Sequence, residues 1–339
     1  MLWVKLMPIQ SRLLRPLEST VKSSFALSCA AEIARNALGG LRRARGDLGT
    51  DSGTQTHGLA IEEALAYVDE VYEDYRRYGE IERFHGRVAE VGPGDNCGLA
   101  LRLLADGCEA VDLVDRFFCA RAPGQNRGLY ERLVARSERL QERLQGATLG
   151  DESSFEGIVW RYGEAAASER YFRTSPRYDF ILSRAVLEHV SDPILSIEQM
   201  AQALAPGGML LHKVDLRDHG MFSDRFHELK FLEVPDPIYE AMVRGSGRPN
   251  RVLVDRYRAA LEGLPGLQTQ LRITRLAGVG DVIPHLPWER IDAALRARSL
   301  DFVRRHRPRF ARSFARLSDE DLCVAGIFVS ARRGSPEEN

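Results

Sequence analysis

From residue 60 to residue 216 the apolar positions of this chain alternate between helical and strand spacing. Leu65, Val68, Tyr72 and Tyr75 recur at helical intervals and predict an amphipathic helix. Gly86–Val91 then predicts a short strand, and the apolar run Leu99–Ala105 a helix ending near Gly107. Ala110–Asp115 (AVDLVD) predicts a second strand, and Leu129, Leu133, Leu140 and Leu144 share one helical face within residues 117–150. Residues 157–165 (GIVWRYGEA) and 178–190 (YDFILSRAVLEHV) predict a third and a fourth. Asp192-Pro193 has the form of a helix start, an N-cap followed by proline at the first helical position. Ile194, Ile197, Met200 and Leu204 continue that helix to the turn APGG, and MLLHKVDL (209–216) predicts a fifth strand. Residues 217–255 have no clean period. A final pair of strands is predicted at 267–276 and 322–331, with a basic helical segment between them, and no internal repeat is visible.

Strands that alternate with helices form a parallel sheet covered on both faces. The fold class expected is α/β, a doubly wound (Rossmann-like), seven-stranded, mostly parallel sheet. Residues 1–58 are read as a helical or flexible N-terminal extension and 59–333 as the main domain; 217–265 is a substrate lid inserted after the fifth strand, and 334–339 a disordered tail. Residues 36–58, rich in glycine, small polar residues and charge, read as a linker or mobile loop.

Composition narrows this little. The 339 residues are 44% hydrophobic and 28% charged, with a formal net charge of −1, so no global electrostatic attraction to nucleic acid follows. The five cysteines (Cys29, Cys97, Cys108, Cys119, Cys323) lack paired metal-ligand spacing, so reduced thiols, no metal site and a cytoplasmic location are expected. No apolar run approaches the ~18–20 residues of a membrane helix. Met1–Ala31 carries Lys5, Arg12, Arg15 and Lys22 against Glu18, with Pro8 and Pro16 breaking helix continuity. A basic extension packed on the protein has this make-up, and so does a transit peptide or an interfacial helix with weak membrane-surface contact.

The chemistry gathers at strand ends, where open α/β sheets bind ligands. After the first strand comes AEVGPGDNCG (89–98), in which Gly92 and Gly94 let backbone approach a ligand closely. A tight strand-to-helix turn without a ligand uses the same residues. Asp115 ends the second strand about twenty residues on, where a carboxylate can take ribose hydroxyls. The dinucleotide fingerprint G-x-G-x-x-G is missed by one residue, because the third glycine is Gly98.

With "EVGPGDN", "VD" at 114–115, "GEA", "YDFILSRAVLEHVSDP" and "ALAPGGMLL" in that order, the chain resembles the class I S-adenosylmethionine-dependent methyltransferases, the group often called type 11. The resemblance is close over about 84–216 and looser to 331. "SRAVLEHV", "HKVDLRDHG" and "RPNRV" are similar to a subgroup of bacterial enzymes found with saccharide or secondary-metabolite pathways. The resemblance implies S-adenosylmethionine as cofactor. Gly92 and Gly94 would then underlie its methionine part, Glu90 stand near its ammonium group, and Asp115 hold the ribose. Glu164 and Ala165 would read the adenine edge, although aspartate is the commoner residue at the first of these. Ser183 and Arg184 would line the floor beside the sulfonium.

His212, Asp215, Asp218 and His219 cluster at the end of the fifth strand, on the expected acceptor side. His219 is the candidate general base for a hydroxyl acceptor, with Asp215 or Asp218 orienting it and His212 beside it. A structural hydrogen-bonding role for His219 stands as the alternative. His189 could line the site or hold the loop after it, and His227 is a further candidate. The arginines of 296–316 read as a solvated helix face partly paired with Asp319, Glu320 and Asp321, not as a nucleic-acid surface. A small-molecule acceptor and O-methylation are therefore expected, with a nicotinamide-dependent oxidoreductase or a non-catalytic cofactor-binding scaffold as the alternatives.

Overall fold

Alternate residues of the central strands are buried on opposite faces of one sheet, which explains why these strands read as nearly continuous apolar runs. The computed structural model describes residues 24–50, 53–223, 226–245 and 247–334. Its centre is five parallel strands: β1 (Gly86–Val91), β2 (Cys108–Asp115), β3 (Ile158–Tyr162), β4 (Tyr178–Arg184) and β5 (Leu204–Asp215). With β6 (Leu267–Leu276), β7 (Gly280–Leu286) and β8 (Val324–Arg333) they form an eight-stranded sheet in the order β3-β2-β1-β4-β5-β8-β6-β7. β8 is antiparallel to both β5 and β6, and β7 is antiparallel to β6.

The expected seven strands are thus eight. The unforeseen strand, β7, carries Pro284 at its centre, and proline ordinarily argues against a strand because it cannot donate to a ladder. At the sheet edge β7 has one neighbour, and an edge strand is where a sheet tolerates proline.

Two cores result. Val88, Phe180, Leu182, Leu211 and Phe328 meet Leu65, Val68, Tyr72 and Tyr75 of α2 (Ile61–Gly79), with α3 (Gly98–Asp106) and α4 (Pro123–Ala135). Ala89, Val91, Ile181, Leu210, Ile327 and Val329 meet α5 (Pro193–Gln202), α6 (Asp236–Val243), α7 (Val254–Glu262) and α8 (Ala293–His306). The predicted N-cap is present: Asp192 accepts the Leu195 N–H at 3.0 Å. Leu129, Leu133, Leu140 and Leu144 are all buried but do not share one helix: the first two lie on α4, Leu140 on a separate short helix (Glu138–Arg143), and Leu144 caps that helix.

The N-terminal extension, expected to be helical or flexible, does hold a helix, and the departure is confined to the first part of 36–58, the stretch read as a linker or mobile loop. A helix, here α1, runs from Phe25 to Ala44 straight through Gly39 and Gly40. It packs on α6, where the Asn36 side-chain amide donates to the Ala241 carbonyl at 2.8 Å. Residues 53–60 are tied to the glycine turn, since Asp95 accepts from the Thr56 backbone N–H (3.1 Å) and hydroxyl (2.9 Å). Residues 1–23, most of the basic N-terminal stretch, and 335–339 of the expected tail lie outside the described residues. No disulfide joins the five cysteines, all buried. No helix among the described residues is long and apolar enough to cross a membrane.

Candidate active site

Strand order reverses between β1 and β4, so the connections leaving their carboxyl ends diverge and open a crevice. A cavity of about 1890 Å³ lies there. Its walls come from the glycine turn, the ends of β2, β4 and β5, the segment 217–250, and α1.

At one end are Glu90, Gly92, Gly94 and Asp115. Gly92 (φ 73°) and Gly94 (φ 69°) both adopt the left-handed conformation that favours glycine. A Cβ on Gly92 would come within 2.3 Å of Val186 Cγ2, and one on Gly94 within 2.7 Å of the Gly53 carbonyl oxygen. Glu90 is buried, and its Oε2 has no hydrogen-bond partner among the described residues. Burial pushes its carboxyl pKa up to about 8 against the opposing pull of the Arg121 charge. Asp115 is raised to about 6 by burial, opposed by backbone N–H donors, with Phe117 N at 2.8 Å from Oδ1. An unpartnered buried acid, a bare backbone turn and a second carboxylate suit a ligand bearing an ammonium group and a diol. This end therefore fits the cofactor that the sequence implies.

The other end is polar in a different way. His219 (φ 49°), Asp215, Arg217 and His189 face the cavity. His219 Nε2 lies 3.4 Å from Glu188 Oε1 and 3.6 Å from Asp215 Oδ2. Burial pulls the His219 pKa down, but the Glu188 hydrogen bond and the charges of Glu188 and Asp215 outweigh it, and the net shift is upward. His189 meets the His219 ring edge-on at 4.6 Å, and its Nδ1 bonds the Gly247 carbonyl at 2.7 Å. Burial lowers the His189 pKa. Asp215 is gripped by Arg217, at 2.8 Å (Nε) and 2.5 Å (a terminal nitrogen). Asp218 faces its own loop, accepting from Gly220, Phe222 and Ser223, and does not orient the imidazole.

Four expected site residues are not among those lining the cavity. His212 is completely buried, bonded through Nδ1 to Ser183 Oγ at 2.8 Å, because the register of β4 and β5 sets these two side by side. Burial drives the His212 pKa down to about 3, so it stays neutral. Glu164 is turned outward, 47% exposed, onto Arg116 at 2.9 Å, and Ala165 follows it. Arg184 does line the cavity, held by Asp74 and Glu70 at 2.7 Å each.

Residues the sequence reading passed over complete the walls: Glu32, Arg35, Asn36, Arg42 and Arg43 of α1, and Asn250. The run of helix formers FALSCAAEIARNAL was the available signal for α1. His227 lies apart, bonded to Glu233 at 2.8 Å and stacked on His306.

A family model described as "Methyltransferase domain" matches residues 64–252. No curated protein matches the chain. Among solved structures the chain is similar to the YcgJ protein of Bacillus subtilis: 13% identity, 79% of this chain and 99% of that one covered, TM-score 0.39. It is likewise similar to the N-methyltransferase NodS of Bradyrhizobium japonicum, solved with S-adenosyl-L-homocysteine: 13% identity, 86% and 97% covered, TM-score 0.37.

Proposed function

Because this chain belongs to the methyltransferase-domain family of class I S-adenosylmethionine-dependent enzymes, we propose that it methylates an oxygen of a small-molecule acceptor bound beside His219. The observation that carries this reading is one continuous cavity joining the glycine-turn end to the Asp215–His219 end. Its volume of about 1890 Å³ exceeds the ~300–1,000 Å³ typical of a site for one drug-sized ligand, which leaves room for two.

The chemistry that the cofactor supplies when bound is a methyl group already activated on a sulfonium, so the protein's task is chiefly to position the two partners. Glu90 and the Gly92–Gly94 backbone hold the amino-acid part, and Asp115 takes the ribose hydroxyls. Arg184, fixed by two carboxylates, forms the floor. At the acceptor end His219 receives the hydroxyl proton, and Asp215 stabilises the imidazolium that results. Segment 217–265, with α1 packed across α6, acts as the lid that keeps water out. Glu164 acts through Arg116, which lies beside Asp115 in sequence and itself lines the cavity.

Two calorimetric results are expected with S-adenosylhomocysteine. Asp115→Ala weakens binding by about 1.5–3 kcal/mol, the scale of hydrogen bonds to a charged group; affinity unchanged within twofold would remove Asp115 from the site. Glu90, mostly protonated at pH 7 because its pKa is raised to about 8, is driven to ionise by an incoming ammonium group. Binding at pH 7 therefore releases a proton, read as an enthalpy that depends on the buffer's ionisation heat. The release fades above about pH 8, where Glu90 is already ionised, and is absent in Glu90→Gln. A buffer-independent enthalpy at pH 7 contradicts the assignment. Transfer of labelled methyl across a panel of sugars and hydroxylated metabolites identifies the acceptor, and efficient transfer to RNA would overturn the small-molecule reading.

A further inference from the structure

Glu188, His189 and His219 are not explained by cofactor binding. Glu188 is 1% exposed, yet its Oε2 has no hydrogen-bond partner among the described residues. Leaving a buried carboxylate oxygen unsatisfied is costly unless something of opposite charge meets it. One donor atom from each of the three residues lies within 4.8 Å of the others. The 3.4 Å between Glu188 Oε1 and His219 Nε2 is close to the spacing of two donors each ~2.1 Å from a shared tetrahedral centre. The His189 Nδ1 contact with the Gly247 carbonyl (2.7 Å) puts the ring proton on that nitrogen, leaving the Nε2 lone pair free. This is the backing that metal-bound histidines use to fix ring and tautomer. His219 is held at φ 49°, an uncommon conformation for a side-chain-bearing residue outside a functional site.

We propose that Glu188, His189 and His219 bind a divalent transition-metal ion at the acceptor end of the cavity. The cysteine spacing that argued against a metal has no bearing on this set, which contains no cysteine. Two imidazoles and one carboxylate favour manganese, iron, cobalt or zinc over magnesium or calcium. His189 and His219 both line the cavity, so the open coordination position faces the acceptor. Three protein ligands with one open position is the pattern of a catalytic rather than a structural site. The inference deepens the acceptor-end reading: a hydroxyl oxygen ligated there becomes more acidic. With the ion bound, His219 serves as ligand, and the ion takes over its part in ionising the acceptor.

The test uses the full chain after removal of metals by a chelator. Manganese(II) is titrated in, with free ion followed by electron paramagnetic resonance, and cobalt(II) binding is followed by visible absorption. The expected result is one site per chain, weakened at least tenfold in Glu188→Gln and in His189→Ala, each of which still binds S-adenosylhomocysteine. If Glu188→Gln proves unfolded, His189→Ala decides, since that ring sits at the cavity wall. No binding to the unaltered protein, or equal binding in a folded variant, overturns the proposal. Cofactor binding without manganese binding removes the ion and leaves the methyltransferase reading intact. Manganese binding without cofactor binding keeps the site and sinks that reading.

Discussion

Replacing His219 by alanine is expected to lower turnover by about 10²–10⁴-fold, the contribution of a positioned proton acceptor, while S-adenosylhomocysteine affinity stays within a few-fold of normal. The two effects separate because His219 lies at the β5 end of the cavity, with Asp215 and Glu188, whereas the cofactor contacts proposed for Glu90, Gly92, Gly94 and Asp115 come from β1, β2 and the turn between. His219 is held at three points: its strained backbone, the Glu188 carboxylate and the edge of the His189 ring. The imidazole is therefore pre-set rather than recruited on binding, and its loss is not compensated by a neighbour. Single-turnover measurement with labelled cofactor and the acceptor found in the screen reads the chemical step directly. Turnover within a few-fold of normal would remove His219 from the mechanism, whether as proton acceptor or as ligand, and leave positioning as the main catalytic device.

Gly92→Ala is expected to weaken S-adenosylhomocysteine binding by about 10–100-fold. Holding alanine in the left-handed conformation costs roughly 1–2 kcal/mol, a cost that reaches affinity only where the turn shifts to relieve it and its backbone no longer meets the cofactor; 10–100-fold corresponds to about 1.4–2.8 kcal/mol of lost contact. The new Cβ also stands 2.3 Å from Val186 Cγ2, so the segment after β4 has to move. That segment lines the cavity through Val186 and carries Glu188 and His189, so the substitution should disturb the acceptor end as well. Gly207→Ala serves as the control. Gly207 shares the left-handed conformation at φ 76°, has nothing within 4 Å of its would-be Cβ, and is not a lining residue. Its replacement should lower the thermal midpoint without changing affinity. Equal affinities for the two variants would mean that the Gly92 turn does not contact the cofactor.

What could be read from the chain before folding were the features that a few neighbouring residues settle among themselves. The β1 strand, the glycine turn after it and helix α3 are legible because periodicity and the backbone needs of Gly92 and Gly94 are local. The doubly wound arrangement followed from strands and helices taking turns, which restricts topology to few solutions. The β7 edge strand was hidden because Pro284 is a local contradiction that only a place at the sheet margin resolves. The last part of helix α1, within 36–58, was hidden by Gly39 and Gly40, whose helical cost is offset by packing on α6.

Partnership lay beyond the sequence altogether. His212 and His219 stand seven residues apart and both looked chemical. The register of β5 on β4 buries the first against Ser183, and the chain's turn beyond β5 delivers the second to the cavity. Glu164 sits at the right strand end, but Arg116 claims its carboxylate. Glu188 and His189 come from the loop after β4 and His219 from the loop after β5. They meet only because those strands are parallel neighbours whose carboxyl ends share one side of the sheet. Spacing along the chain determined which residues could do chemistry; strand order and packing decided which of them face the cavity and which face each other.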